Sequence, residues 1–315
     1  MSGLPMLSIV VPVFNEETVV GLFVETLRPL LDAAAPEAEG GWEVLFVNDG
    51  SRDGTWAAIR AAHEADARVR GVDFSRNFGK EVALSAGIDH ARGRALIPMD
   101  VDLQDPPELI GPMLDKWREG FDVVLAARMD RSSDTALKRL TAGWFYSLIG
   151  RLSDTAIPAN VGDFRLIDGK VADALRRYPE RMRFMKGIFA HVGFKTTTLS
   201  YVRPVRVAGE TKFNGKKLFN LALEGIVSFS TVPLKIWTYV GLAAALLALA
   251  MGVVIVARTL LFGVDVPGYA SLITVILFFN GILLMGLGVQ GEYIARIFQE
   301  VKGRPLYLVR ERLGE

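Results

Sequence analysis

Ala95-Leu-Ile-Pro-Met-Asp-Val-Asp-Leu-Gln-Asp-Pro-Pro-Glu108 starts as a short apolar run and breaks into carboxylates. A run of that kind reads as a buried strand, and four others share its character: Leu7–Phe14, Trp42–Val47, Val69–Phe74 and Val123–Ala126. The segments Glu16–Leu31, Gly54–Ala65, Lys80–Ala91 and Glu108–Glu119 read as helices. Continuous apolar strands alternating with helices predict βαβ units, an α/β fold and a mostly parallel sheet. Such a sheet binds ligands in the crevice beyond the carboxyl ends of its strands. The polar punctuation falls there: Asn15-Glu16, Asn48-Asp49-Gly50-Ser51, Ser75-Arg76-Asn77 and Asp100-Val101-Asp102. Four polar strand ends on one edge predict one binding site.

Exclusion narrows that site. No G-x-G-x-x-G follows the first strand, so a dinucleotide site is not supported. Gly79-Lys80 has Phe74 where a P-loop needs its first glycine, and no G-x-S-x-G hydrolase elbow occurs. In an extended segment, residues two apart point the same way, so Asp100 and Asp102 are expected to converge. Like charges that close are tolerated mainly with a cation between them. Oxygen ligands suit Mg²⁺ or Mn²⁺, and Gln104 continues the same face with an amide oxygen. Asp105-Pro-Pro-Glu108 reads as the cap of the next helix.

Composition removes whole classes. The 36 basic and 35 acidic residues nearly cancel, which argues against a nucleic-acid binder. The absence of cysteine excludes disulfides, zinc ribbons, iron–sulfur clusters and a thiol nucleophile, and His63, His90 and His191 form no metal-ligand pair. A mean hydropathy of +0.29 is high for a soluble enzyme. Its source is two charge-free stretches, residues 236–257 and 266–291. A bilayer core of roughly 30 Å needs about 20 apolar residues in a helix, so each can span. Lys212, Lys216, Lys217 and Lys235 precede the first stretch, and Arg296, Lys302 and Arg304 follow the second. The positive-inside bias predicts a hairpin with both chain ends cytoplasmic, Arg258 snorkelling to the interface. Leu7–Phe14 is too short for a signal peptide. The expected organisation is a cytosolic domain over 1–213, a juxtamembrane amphipathic helix over 214–232, spans at 233–258 and 268–291, and a tail over 292–315. A second amphipathic pattern runs from Leu137 to Leu152.

Val11-Pro-Val-Phe-Asn-Glu16, Val47-Asn-Asp-Gly-Ser51, Ser75-Arg-Asn-Phe-Gly-Lys80 and Met99–Glu108 together resemble the motifs of family 2 inverting glycosyltransferases of GT-A fold. With the hairpin, the resemblance is to the polyprenyl-phosphate glycosyltransferases: dolichol-phosphate mannose synthases and, more closely, bacterial bactoprenol glucosyltransferases. It implies that Pro12, Phe14, Glu16, Val47 and Asp49 line the nucleotide, with Lys80, Asp100 and Val101 also on the substrate. It implies that Asp102 and Gln104, with Asp100, hold Mg²⁺ or Mn²⁺ across the diphosphate. Arg128 matches an arginine near the donor sugar, Arg206 and Lys212 a basic pair on the diphosphate, and Arg139 an arginine on the acceptor phosphate. Asp163, in Val161-Gly-Asp-Phe-Arg165, matches the base or orienting group. No Q-x-x-R-W signature of processive synthases occurs, so a single transfer per cycle is expected.

The implied reaction moves one sugar from a nucleotide-sugar to a polyprenyl phosphate. UDP-glucose is the first expectation; GDP-mannose or an amino-arabinose-type donor stays open. A degenerate, lipid-binding scaffold is the non-enzyme alternative. The expected setting is the inner (plasma) membrane, in a homo-oligomer, up to a tetramer.

Overall fold

The computed structural model describes residues 4–128, 161–181, 185–201, 232–263 and 268–314. Arg139, Arg206, Lys212, Lys216, Lys217 and both juxtamembrane amphipathic patterns lie outside the described residues. Five strands form where apolar runs predict them: β1 (Leu7–Val13), β2 (Trp42–Asn48), β3 (Val69–Phe74), β4 (Ala95–Pro98) and β5 (Val123–Arg128). Three more follow: β6 (Val161–Asp168), β7 (Thr196–Tyr201) and β8 (Val309–Leu313). They make one eight-stranded sheet in the order β7-β5-β6-β4-β1-β2-β3-β8. Strand β6 runs against β4 and β5, and β8 against β3, whereas β1, β2, β3 and β4 are mutually parallel. The sheet is therefore mixed but mostly parallel.

Helices cover both faces, which is why β1 and β2 are apolar at nearly every position. Phe23, Leu27 and Leu31 of α1 (Val20–Ala34) and Ile110, Met113 and Leu114 of α4 (Ile110–Arg118) pack with Ile9, Val11, Val44 and Phe46. On the opposite face, Leu84 and Ile88 of α3 (Lys80–His90) meet Val10, Leu45 and Val47, together with Val171 and Leu175 of α5 (Gly169–Arg176). The alternation of Ile9 and Val11 against Val10 is the pleat of a strand buried on both sides. At Gly87, a Cβ would stand 2.1 Å from Val10 Cγ1, so glycine sets how closely α3 lies on β1. Helix α2 (Thr55–Ala65) packs beside α1, and α6 (Met185–His191) completes the α3 face.

Helix α1 starts at Val20, four residues after the expected Glu16, because the intervening chain is committed elsewhere. The Asn15 and Glu16 amides donate to Ser51 Oγ (2.9 Å) and Thr55 Oγ1 (2.8 Å). The next helix begins with a 3₁₀ turn at Pro107–Leu109 whose N-cap position is Pro106, and Asp105, one residue earlier, accepts a hydrogen bond from the Tyr201 hydroxyl (2.8 Å).

Two long helices leave this domain: α7 (Val232–Phe262) and α8 (Tyr269–Val301). Their apolar segments, Leu234–Phe262 and Ser271–Val301, are long enough to cross a membrane and are not buried by the protein. Helix α8 continues past Gly291 to Val301, so about 15 Å of helix extends beyond the charge-free segment. Within the segment expected as a tail over 292–315, Val309–Leu313 returns to the sheet as β8.

Candidate active site

The carboxyl ends of β1, β2, β3 and β4 surround a pocket of about 420 Å³. Strand β1 contributes Pro12, Val13, Phe14 and Glu16, and β2 contributes Asp49. The turn after β3 adds Asn77, Gly79 and Lys80, and the turn after β4 adds Asp100, Val101 and Asp102. A groove of similar size between α1 and α4 takes only Pro107 and Glu108 from the end of the fourth motif, and its Arg118 is already paired with Glu39 and Asp115.

The loops around the pocket are tied to one another by their own polar groups. Asp49 is buried; its Oδ1 accepts from the Phe78 amide (2.6 Å) and its Oδ2 from the Gly79 amide (2.9 Å). Burial pushes its carboxyl pKa up, against those two amides. Asp49 thus holds the 75–79 loop as well as facing the pocket. Asn15 Oδ1 accepts from the Arg52 amide, closing the first loop on the second. Gly50 adopts φ +66°, and a Cβ there would stand 2.3 Å from the Arg76 carbonyl carbon, so only glycine fits. Asn15 (φ 56°) and Leu103 (φ 53°) are also left-handed; for leucine that costs on the order of 1–2 kcal/mol. Both flank the pocket, where such strain is often kept.

Lys80 is the centre of charge. Its ammonium contacts both oxygens of Asp100, at 2.6 and 2.8 Å, and reaches Asp163 Oδ2 at 3.2 Å. Burial opposes the charge, but the two carboxylates prevail and hold the lysine pKa above its usual range. Asp163 arrives because β6 runs antiparallel, which puts its leading residues at the edge where parallel strands end. Its Oδ1 is buried without a hydrogen-bond partner among the described residues. Next along β6, Arg165 donates to the Gly162 carbonyl (2.6 Å) and lies 4.3 Å over the Phe189 ring; burial lowers its pKa to about 10.

Asp100 and Asp102 reach the same pocket by a different route from the one expected. Strand β4 ends at Pro98, and 101–102 form a turn that Leu103 completes. The shared face comes from that turn, not from extended alternation. Asp102 is exposed, and its Oδ1 accepts from the Gln104 amide (3.2 Å). Glu16 has a raised pKa, first from burial and then from the charges of Asp102 and Asp53.

Among the described residues, no three acidic or histidine side chains form a closed cage for a metal. Magnesium-type sites commonly use one or two carboxylates and take further oxygens from water and substrate phosphates. Asp102 fits that open type, since it is exposed and its charge already disfavours ionisation of Glu16. Asp100 has its charge met by Lys80 instead.

The remaining expected residues divide. Arg128 ends β5, paired in register with Tyr201. Val47 is fully buried beside Pro12 in the β1–β2 ladder and does not line the pocket. Asn48 and Asp73 carried no assigned role from sequence, yet they form a buried hydrogen bond of 2.8 Å beneath the second loop. The only sequence signal for that pair was two polar residues at the ends of apolar runs.

The chain matches the model of Glycosyl transferase family 2 over residues 8–176. It is 51% identical over 304 residues to the prophage bactoprenol glucosyl transferase homolog of Escherichia coli K12, covering 96% of this chain and 98% of that one. It is 51% identical over 305 residues to the bactoprenol glucosyl transferase of Shigella phage SfII, covering 97% of each. A glycosyltransferase of Synechocystis sp. is 50% identical over 309 residues, 98% of this chain and 96% of that protein.

Proposed function

The chain belongs to glycosyl transferase family 2 and is a glycosyltransferase, and from that premise we propose that it moves one sugar from a nucleotide-sugar to a polyprenyl phosphate at a membrane. UDP-glucose is the proposed donor, by analogy with the bactoprenol glucosyl transferases it is similar to. The observation that carries the reading is the gathering of Asp49, Lys80, Asp100 and Asp102 around one pocket, with Asp163 bonded to Lys80.

Each group has a task in that transfer. Pro12 and the half-exposed Phe14 offer an apolar wall to the nucleoside. Asp102, assisted by Gln104 and Asp100, would hold Mg²⁺ or Mn²⁺, whose Lewis acidity helps the diphosphate to leave. Lys80 holds Asp100 and Asp163 at the pocket edge and offsets part of their negative charge where the donor's diphosphate arrives. The acceptor phosphate has a second pKa of about 6, by analogy with phosphorylated side chains, so its oxygen is already anionic at neutral pH. It needs little help from a base. Asp163 therefore orients rather than deprotonates, held in place by Lys80. The phosphate oxygen bonds to the anomeric carbon as the bond from that carbon to the nucleoside diphosphate breaks, inverting the configuration.

Helices α7 and α8 are proposed to form the membrane hairpin. Strands β7 and β8, one before the hairpin and one after it, share a sheet. That supports both helix ends lying on the catalytic side, and the charge bias of the sequence supports a cytoplasmic position for this side. The test is release of nucleoside diphosphate in detergent, with a polyprenyl phosphate, Mn²⁺ and a panel of nucleotide-sugars. Release from UDP-glucose that requires the lipid is expected. Lipid-independent release, or none from any donor, contradicts the proposal.

A further inference from the structure

We propose that β8, the strand that follows the second long helix, positions the donor pocket, with Arg310 acting through buried Asp73 on two of the pocket's loops. The proposal rests on the donor-transfer reading above. No residue of β8 lines the pocket. The connection runs through hydrogen bonds.

Asp73 is fully buried at the end of β3. Its Oδ2 accepts from Arg310 Nε at 2.6 Å, and its Oδ1 accepts from Asn48 Nδ2 at 2.8 Å. Asn48 Oδ1 in turn accepts from Ser51 Oγ at 2.5 Å, and that oxygen accepts from the Asn15 amide at 2.9 Å. A chain of hydrogen bonds thus passes from β8 across β3 and β2 to the loop bearing Glu16. A second route is shorter. The Ser75 amide donates to the Leu308 carbonyl (3.0 Å), and the Tyr307 ring stacks on Phe74 at 5.0 Å between centroids. These contacts fix the exit of β3, from which the chain runs on to Asn77, Gly79 and Lys80 in the pocket wall.

A buried carboxylate is stable only if its charge is met. Arg310 is the cation on Asp73; without it, Asn48 alone faces a buried charge and its orientation is no longer fixed. The segment leading to β8 is itself fastened to the domain: Arg181 donates its amide to Glu300 Oε1 (2.8 Å) and its Nε to the Arg304 carbonyl (2.7 Å). Donor binding is therefore linked to the docking of a segment that lies beyond both long helices.

The test uses the full chain in detergent, with three variants. Arg310→Ala removes the cation, and Arg310→Lys restores a charge. Glu311→Ala loosens the same strand elsewhere, cutting its ties to Trp56 Nε1 (2.9 Å) and Arg60 (2.7 Å) without touching Asp73. Two quantities are read: the KM for UDP-glucose against kcat, and hydrogen exchange of the 75–79 amides against those of β1. Arg310→Ala is expected to raise donor KM roughly ten-fold, the scale of one charged hydrogen bond. Its kcat at saturating donor should be nearly kept, and exchange should quicken at 75–79 but not in β1. Arg310→Lys should recover most of the KM, and Glu311→Ala should leave donor KM unchanged. Wild-type exchange and KM in Arg310→Ala would overturn the proposal, as would an equal donor defect in Glu311→Ala. If the wild-type protein makes no product from UDP-glucose or any other nucleotide-sugar, the functional reading fails, and the exchange comparison alone decides the role of β8.

Discussion

Lys80 shows how single residues divide the work of the pocket. Its charge keeps Asp100 and Asp163 near each other, whereas exposed Asp102 has no ion pair among the described residues. Asp102→Asn is near-isosteric and changes only charge at an exposed position. It should lower turnover on the order of a hundred-fold, as losses of a single electrostatic contact at a reacting centre do. Its melting temperature should not fall below that of wild type, since the lost charge also relieves Glu16; a variant keeping most of its rate with Mg²⁺ or Mn²⁺ contradicts the assignment. Glu16 gives a pH-dependent counterpart. Its folded pKa is raised by burial, then by Asp102 and Asp53, so its ionisation costs stability. That cost is absent below the ordinary carboxylate pKa and grows as pH rises through the raised value. Glu16→Gln should therefore melt higher than wild type at pH 7 and equally at acid pH. A gain that persists unchanged into acid would contradict this linkage.

Among the elements, legibility followed chemistry. Strands β1 to β4 were readable because burial on both faces forces continuous apolar runs, and the end of each run marked a pocket loop. Strand β6 was less readable: Gly162, Asp163 and Arg165 interrupt its apolar pattern, although its position delivers Asp163. Strand β8 was invisible, since Val309-Arg-Glu-Arg-Leu313 sets three charged residues in a row between two apolar ones, charge of the kind an edge strand carries. Helix boundaries shifted where loop side chains claimed backbone amides, as Ser51 and Thr55 do at the start of α1. The closest helix-to-strand contact offers a direct check. Gly87→Ala would put a methyl group against Val10, and overpacking of that kind costs about 1–3 kcal/mol. Thermal unfolding should shift down by several degrees; an unchanged transition would mean that α3 can move off β1 freely.

For the molecule as a whole, the return of β8 changes what the two long helices are attached to. With a cytosolic domain expected over 1–213, a cut before α7 would leave that whole segment in place. In the structure that cut also strips Arg310 from buried Asp73 and leaves the β3 edge open. Deleting residues 232–315 should therefore give an unstable, aggregation-prone protein that binds donor poorly. Replacing only 232–301 with a flexible Gly/Ser linker should keep β8, bind donor well and still transfer poorly to long-chain lipid in vesicles. Equal donor affinity in the two truncations would contradict this account. Inverting transfer of one sugar to a lipid phosphate is read from the anomeric configuration of the lipid product, by NMR after reaction with α-linked UDP-glucose. A single β-linked glucosyl phosphate is expected, formed by wild type with Mn²⁺ or Mg²⁺ and absent with Asp102→Asn. An α-linked product, or more than one sugar per lipid, would contradict it.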